Sequence, residues 1–107
     1  MAKILRGSQD TMVKALKNAL EAYEDRFAGS SGSLYRQDRA DIRVRIIDER
    51  FAGMSRSRRH NQVWKFLADI VGDDVISEVS TLILLPPTEL KGSFANLDFE
   101  EPLPVRP

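Results

Sequence analysis

From Ile42 to Ile46 apolar residues and arginines alternate one for one, and this alternation constrains the fold more than any other feature of the chain. Successive side chains of a β-strand point to opposite faces. A strand over Ile42-Arg43-Val44-Arg45-Ile46-Ile47 therefore turns Ile42, Val44 and Ile46 to a core. It turns Arg43 and Arg45 to water or to a partner. Such a strand needs a neighbour to pair with and a layer to cover its apolar face. Upstream, Leu34-Tyr35-Arg36 supplies a short strand and Asp38-Arg39-Ala40 a turn. The two segments pair as an antiparallel hairpin, with Arg36 near the other two arginines.

The covering layer comes from two helix-periodic stretches. Met12, Leu16, Leu20, Tyr23 and Phe27 recur at three- and four-residue spacings and predict a helix over 8–28, with Ser8 or Asp10 as its cap and Gly29 as its stop. Gly29-Ser30-Ser31-Gly32-Ser33 then reads as a flexible connector. Its Gly-x-x-Gly pattern clamps nucleic acid only where it joins two helices, and here it joins a helix to a strand. After a loop at Phe51-Ala52-Gly53-Met54, Ser55 or Ser57 caps a second long helix ending at Val71, with Gly72 as its stop. Val63, Trp64, Leu67, Ile70 and Val71 form its apolar stripe, Phe66 widens it, and His60 sits on the core-facing side. Asp73-Asp74 caps a short turn over 75–79. Ser80–Leu85 is an apolar run of strand length, read as a central strand that Pro86-Pro87 ends, and Thr88-Glu89-Leu90 begins a last turn.

The fold class this predicts is α+β: a small three-stranded mixed sheet with helices packed on one face, in the order α-β-β-α-α-β-α. At 107 residues there is one core and one domain, over 1–92. Residues 93–107 are an acidic, proline-containing tail, expected to be disordered when free.

The absence of cysteine excludes disulfides, thiolate catalysis and cysteine-ligated metal within the chain, and a single histidine excludes a histidine cluster. Serine nucleophiles lack an adjacent base, and Asp48-Glu49, Asp73-Asp74 and Glu100-Glu101 are neighbours that point apart. No enzyme activity, metal site or cofactor is expected. No apolar run reaches membrane-span length and no signal-peptide core opens the chain, so the expected location is the cytoplasm.

The sixteen basic and sixteen acidic groups balance overall but not along the chain. Residues 30–66 carry nine basic and four acidic side chains, and residues 67–107 carry two and eight. Either the basic block meets an anionic partner or the two blocks face each other in the fold. Arg56, Arg58 and Arg59 crowd the start of the second helix, where each cation opposes the helix dipole by ~0.3–1 kcal/mol. Phosphate binding would explain them, and so would pairing with Asp48, Glu49 or the acidic last third. Arg43 and Arg45 beside Tyr35 suit single-stranded nucleic acid.

The run Phe51-x-Gly53-x-Ser55-x-x-x-Arg59-His60-x-x-Val63-x-x-x-Leu67 resembles the signature of the BolA-like family, the stress-induced morphogens. Val44-Arg45-Ile46-Ile47 stands where that family has its preceding strand, and Pro86-Pro87-Thr88-Glu89-Leu90 is similar to the stretch after its last one. The likeness spans roughly residues 33–91. It implies a class II KH-like topology and one of two roles. The first is a nucleic-acid-binding regulator, contacting nucleic acid through Arg56, Arg58 and Arg59 with Arg43 and Arg45 flanking. The second is a protein-interaction adaptor for a glutaredoxin-like or other protein partner. The family shares a two-iron cluster with such partners through histidine. Glu78, preceded by Ser77, occupies the position of that histidine, and 32–41 holds no second ligand. Neither the membrane nor an oligomeric state is implied.

Overall fold

Asp10, Ser55 and Ser93 each accept a hydrogen bond from a backbone N–H three residues on, and these three caps start the three longest helices. The computed structural model describes residues 1–39 and 41–102. In chain order they form β1 (Lys3–Ile4), α1 (Thr11–Arg26), β2 (Ser31–Asp38), β3 (Asp41–Ile47), α2 (Arg56–Val71), α3 (Asp73–Ile76), β4 (Val79–Leu85) and α4 (Phe94–Glu100). Short 3-10 turns at Glu49–Phe51 and Pro87–Glu89 punctuate the chain. The architecture is α+β with a mixed sheet, as expected. Beyond β1, the order helix-strand-strand-helix-helix-strand-helix is also the expected one. No helix among the described residues is long and apolar enough to cross a membrane.

The sheet has four strands rather than three, in the order β1-β2-β3-β4. The extra strand is two residues long and pairs parallel to β2 at Ser33 and Leu34. So short a strand leaves no periodic trace in a sequence. The hairpin is antiparallel, with Leu34 opposite Val44 and Tyr35 opposite Arg43, and β4 lies parallel to β3. β4 is thus an edge strand and not a central one. Its continuous apolar run reflects coverage of both faces, which a sequence cannot separate from coverage on both sides.

Two layers account for that coverage. On one face, Leu34, Ile42, Val44, Ile46 and Leu84 pack against Val13, Leu16, Leu20 and Tyr23 of α1 and Val63 and Leu67 of α2. On the other, Tyr35 and Ile83 pack against Phe99 of α4, with Leu5 and Leu85 alongside. Helices on one face alone was the expectation. Residues 93–107 were read as a tail, yet 94–100 are a helix, because Phe99 fills the space over Tyr35 with ring centroids 4.9 Å apart. The Tyr35 hydroxyl donates to the Phe99 carbonyl at 2.9 Å.

Other local expectations shift for identifiable reasons. The first helix starts at Thr11 with Asp10 as its cap, which also receives the Arg36 guanidinium. Ser55 rather than Ser57 caps α2, and Gly72 at φ +85° ends it. Asp73 and Asp74 lie in the first turn of α3 without capping it. The connector expected over 29–33 is strand from Ser31 onward. Gly32 lies against Leu20, where an added Cβ would sit 3.1 Å from the Leu20 Cβ, and its N–H donates to Glu24. Ile70, assigned to the apolar stripe of α2, is 49% exposed. Of the expected turn Asp38-Arg39-Ala40, Asp38 closes β2 and Arg39 follows in a turn, and Ala40 lies outside the described residues, as do Leu103 and Val105 of the tail.

Asp48, where β3 ends, is a buried carboxylate held from three sides. The Tyr23 hydroxyl of α1 donates to it at 3.0 Å, the Arg50 backbone N–H at 3.0 Å, and the Arg50 guanidinium pairs with it. Burial alone would push its pKa up, but the Arg50 and Tyr23 hydrogen bonds hold it below the ordinary aspartate value. Burial, then the same hydrogen bond, pushes the Tyr23 phenol up.

Phe99→Ala should lower unfolding free energy by about 3–5 kcal/mol in urea titration, whereas Leu97→Ala, at an exposed position of the same helix, should change it by about 0.5 kcal/mol or less. A carboxylate with a depressed folded-state pKa stabilises above its unfolded value and stops doing so as pH falls through the folded one. Asp48→Asn should therefore cost about 1–3 kcal/mol at neutral pH. The gap from the unsubstituted chain should narrow as pH falls below about 4 in parallel urea titrations.

Candidate functional site

The start of α2 is assembled from the residues of the sequence signature. Phe51 is buried at the end of a 3-10 turn, Gly53 takes φ +79° to reverse the chain, and the Ser55 hydroxyl accepts from the Arg58 N–H at 3.2 Å. Val63 and Leu67 sit in the core. Arg59 is only 6% exposed. Its guanidinium donates to the carbonyls of Met54 at 3.1 Å and Leu84 at 3.0 Å, and forks onto both oxygens of Glu89 at 3.0 Å. One side chain so ties the α2 start, β4 and the turn after it together. The Arg59 hydrogen bonds hold the Glu89 carboxyl below the usual glutamate range.

His60 is not on the core-facing side. It is exposed and stacks on the Trp64 ring at 5.4 Å, the two planes 17° apart. It directly follows Arg59, and that 100° step takes it off the buried stripe.

Arg43 and Arg45 do leave the core face, as alternation requires, but α4 covers them and they do not face water. Arg43 pairs with Asp98 at 3.0 Å. Arg45 donates to Asn96 at 2.9 Å, pairs with Glu100, and lies 4.7 Å from the centre of the Phe99 ring. Tyr35, the stacking platform expected beside them, is fully buried. Arg36 is not near these two. It lies across from Ile42, on the opposite face, where it pairs with Asp10 at 2.6 Å and Glu78 at 3.5 Å. Four arginines of the basic block (Arg36, Arg43, Arg45 and Arg59) therefore meet carboxylates of the acidic last third. The two blocks face each other in the fold. The expected pairing of the α2 arginines with Asp48 or Glu49 does not form, because Arg50 occupies Asp48.

Of the five arginines read as a nucleic-acid surface, Arg56 and Arg58 remain exposed. Arg56, Arg59 and His60 come together on one wall of an open groove of about 820 Å³. Its floor is Leu82–Leu85 of β4, and Gly92 to Ala95 form the opposite wall, where Phe94 is 77% exposed. Arg43 and Arg45 lie beneath α4 and are absent from this groove. Sequence reasoning missed Glu89, Phe94 and the β4 edge. An aromatic residue in an apparent tail was the available signal for Phe94, and nothing local marks Glu89 as the Arg59 counter-ion.

The two-iron cluster of the resembling family does not fit these residues. Where that family has a histidine, the Ser77 hydroxyl donates to the Asp74 carbonyl and Glu78 faces Arg36, so neither imidazole nor thiolate is available. Among the described residues no group of three or more histidine, cysteine, aspartate or glutamate side chains could hold a metal ion.

Arg59→Lys should lose about 1–3 kcal/mol of unfolding free energy, since an ammonium cannot span two carbonyls and a carboxylate fork at once. Arg58→Lys, on the exposed face, should stay within about 0.5 kcal/mol by the same chemical denaturation. No protein-family model, curated protein or solved structure matches this chain, and the functional reading rests on the geometry above.

Proposed function

We propose that this chain is a non-enzymatic interaction domain, an adaptor that docks a protein partner along the groove between α2, β4 and the start of α4. The observation that carries this reading is the fate of the arginines. Arg43, Arg45 and Arg59 are paired with Asp98, Glu100 and Glu89 within the chain. What remains open is a groove with an apolar strand as its floor, an exposed Phe94 on one rim and Arg56 and His60 on the other. Apolar floors with polar rims and aromatic anchors characterise protein-docking surfaces. His60 shares this groove with one carboxylate, Glu89, but Arg59 holds that carboxylate, which favours binding over catalysis.

The resemblance of residues 51–67 to the BolA-like signature, and of the element order to a KH-like topology, supports the same reading and points to a glutaredoxin-like partner. Docking would then proceed without a shared cluster. A nucleic-acid-binding regulator is the second reading, and the exposure of Arg56 and Arg58 at one helix start favours it.

Fluorescence anisotropy of labelled single-stranded and duplex DNA and RNA separates the two. The adaptor reading expects no binding that falls steeply with salt. A log–log salt slope of about −0.7 per neutralised phosphate on single strands, abolished by Arg56→Glu with Arg58→Glu, would replace it with the regulator reading. Recovery of a protein partner from nuclease-treated extract, lost on Phe94→Asp, is the positive result expected.

A further inference from the structure

Among the described residues β4 pairs only with β3, and no strand lies along its outer edge, where the Arg59 guanidinium meets the Leu84 carbonyl. The Leu85 carbonyl accepts from the Asp48 N–H at 3.0 Å, so the backbone groups of Leu85, and by alternation of Ile83, point to β3. Those of Leu82 and Leu84 point outward, in agreement with the Leu84 carbonyl receiving the Arg59 guanidinium. The edge reads Val-Ser-Thr-Leu-Ile-Leu-Leu. It contains no charge and no proline, the usual devices that stop an edge strand from pairing.

Charge is ordered along the helix that flanks this edge. Arg56, Arg58 and Arg59 stand at the start of α2, Asp69 in its last turn, and Asp73 and Asp74 just beyond its end. The arginines oppose the α2 dipole, so helix stability does not account for them, whereas Asp73 and Asp74 stand in the first turn of α3, where its dipole favours them. The helix runs antiparallel to β4. Arg59 lies at Leu84, and the far end of α2 leads through α3 into Val79. The basic group therefore flanks the end of β4 and the acidic group its beginning.

We propose that the occupant of the groove is a second copy of this chain, its β4 set antiparallel against β4 about a two-fold axis near Leu82. This rests on the reading of the groove as a protein-docking site and names its partner. Antiparallel pairing is the arrangement that brings the basic α2 start of each copy against Asp73 and Asp74 of the other, and the two-fold axis makes the contact twice. Leu82 then exchanges N–H and C=O with its mate, and the two four-stranded sheets join into one of eight. Trp64 lies about 7.5 Å along α2 from Arg59, and Leu82 lies about 7 Å along β4 from Leu84, so Trp64 stands level with the axis. Its half-buried ring, with His60 stacked on it, gains a cover from the other copy. An unrelated extended peptide would fill the groove without bringing an acidic end against Arg56 and Arg58.

Sedimentation velocity of the full chain, from about 1 to about 200 μM, tests this. A reversible monomer–dimer equilibrium is expected. Arg56→Glu and Asp74→Arg, both at exposed positions, should each weaken it about tenfold or more, and the doubly substituted chain should recover to within about threefold of the original. Unchanged urea unfolding of the three variants secures that folding is intact. A monomer throughout the concentration range, a dimer indifferent to both single substitutions, or a double variant that stays monomeric would each overturn the proposal. A monomer that still recovers a partner from nuclease-treated extract would leave the adaptor reading standing and remove self-pairing alone.

Discussion

An arginine placed under a helix on a sheet face must find a counter-charge inside the fold, because desolvating an unpaired guanidinium costs several kcal/mol. Arg45 is 8% exposed, and its needs are met by Glu100, by the Asn96 side chain and by the face of the Phe99 ring, all from α4. Much of the second layer follows from this requirement. α4 has seven residues, too few to be stable alone. It persists because Phe99 fills the space over Tyr35 while Asp98, Asn96 and Glu100 neutralise or bond the arginines beside it. Arg6 reaches over from just beyond the first strand to donate to the carbonyl of Glu100 at 2.9 Å, and ties the N-terminal segment to the same helix.

The same logic operates at the β4 edge of the sheet, where Arg59 is the link. Its three sets of acceptors belong to the loop before α2, to β4 and to the turn that follows β4, and the first is far in sequence from the other two. A buried pair of this kind adds little net stability over an apolar substitute, but breaking it leaves a buried charge. Its structural effect is positional. It fixes the α2 start against the β4 edge and consumes Glu89, and it thereby leaves Arg56, His60 and Phe94 as the exposed rims of the groove.

These internal pairings change how the basic block reads. Nine basic groups in 37 residues suggest a polyanion partner when read along the chain. In the fold, four of them meet carboxylates from the last third, and the open surface that remains is largely apolar along one strand edge. Surface charge that is already neutralised contributes little to long-range attraction of an anion. A protein partner fits what is left, and the exposed Arg56 and Arg58 at one end of α2, with Asp73 and Asp74 beyond the other, are the charges on which the proposed self-pairing rests.

Periodicity by itself determined α1, α2 and β3, with Ile42, Val44 and Ile46 in the core. It also placed the stop at Gly72 and narrowed the α1 and α2 caps to a choice that Asp10 and Ser55 resolve. These are decisions between near neighbours, made by side-chain spacing and by backbone groups within one turn. The tertiary structure decided which arginines are covered, that β4 is an edge, that 94–100 is a helix, and that His60 is exposed. Each of those depends on partners such as Arg45 and Glu100, or Arg59 and Glu89, which are 55 and 30 residues apart. Alternation says that Arg43 and Arg45 leave the core face. Only the position of α4 says that they do not reach water, because a pattern of period two records which face a residue takes and not what comes to lie on it.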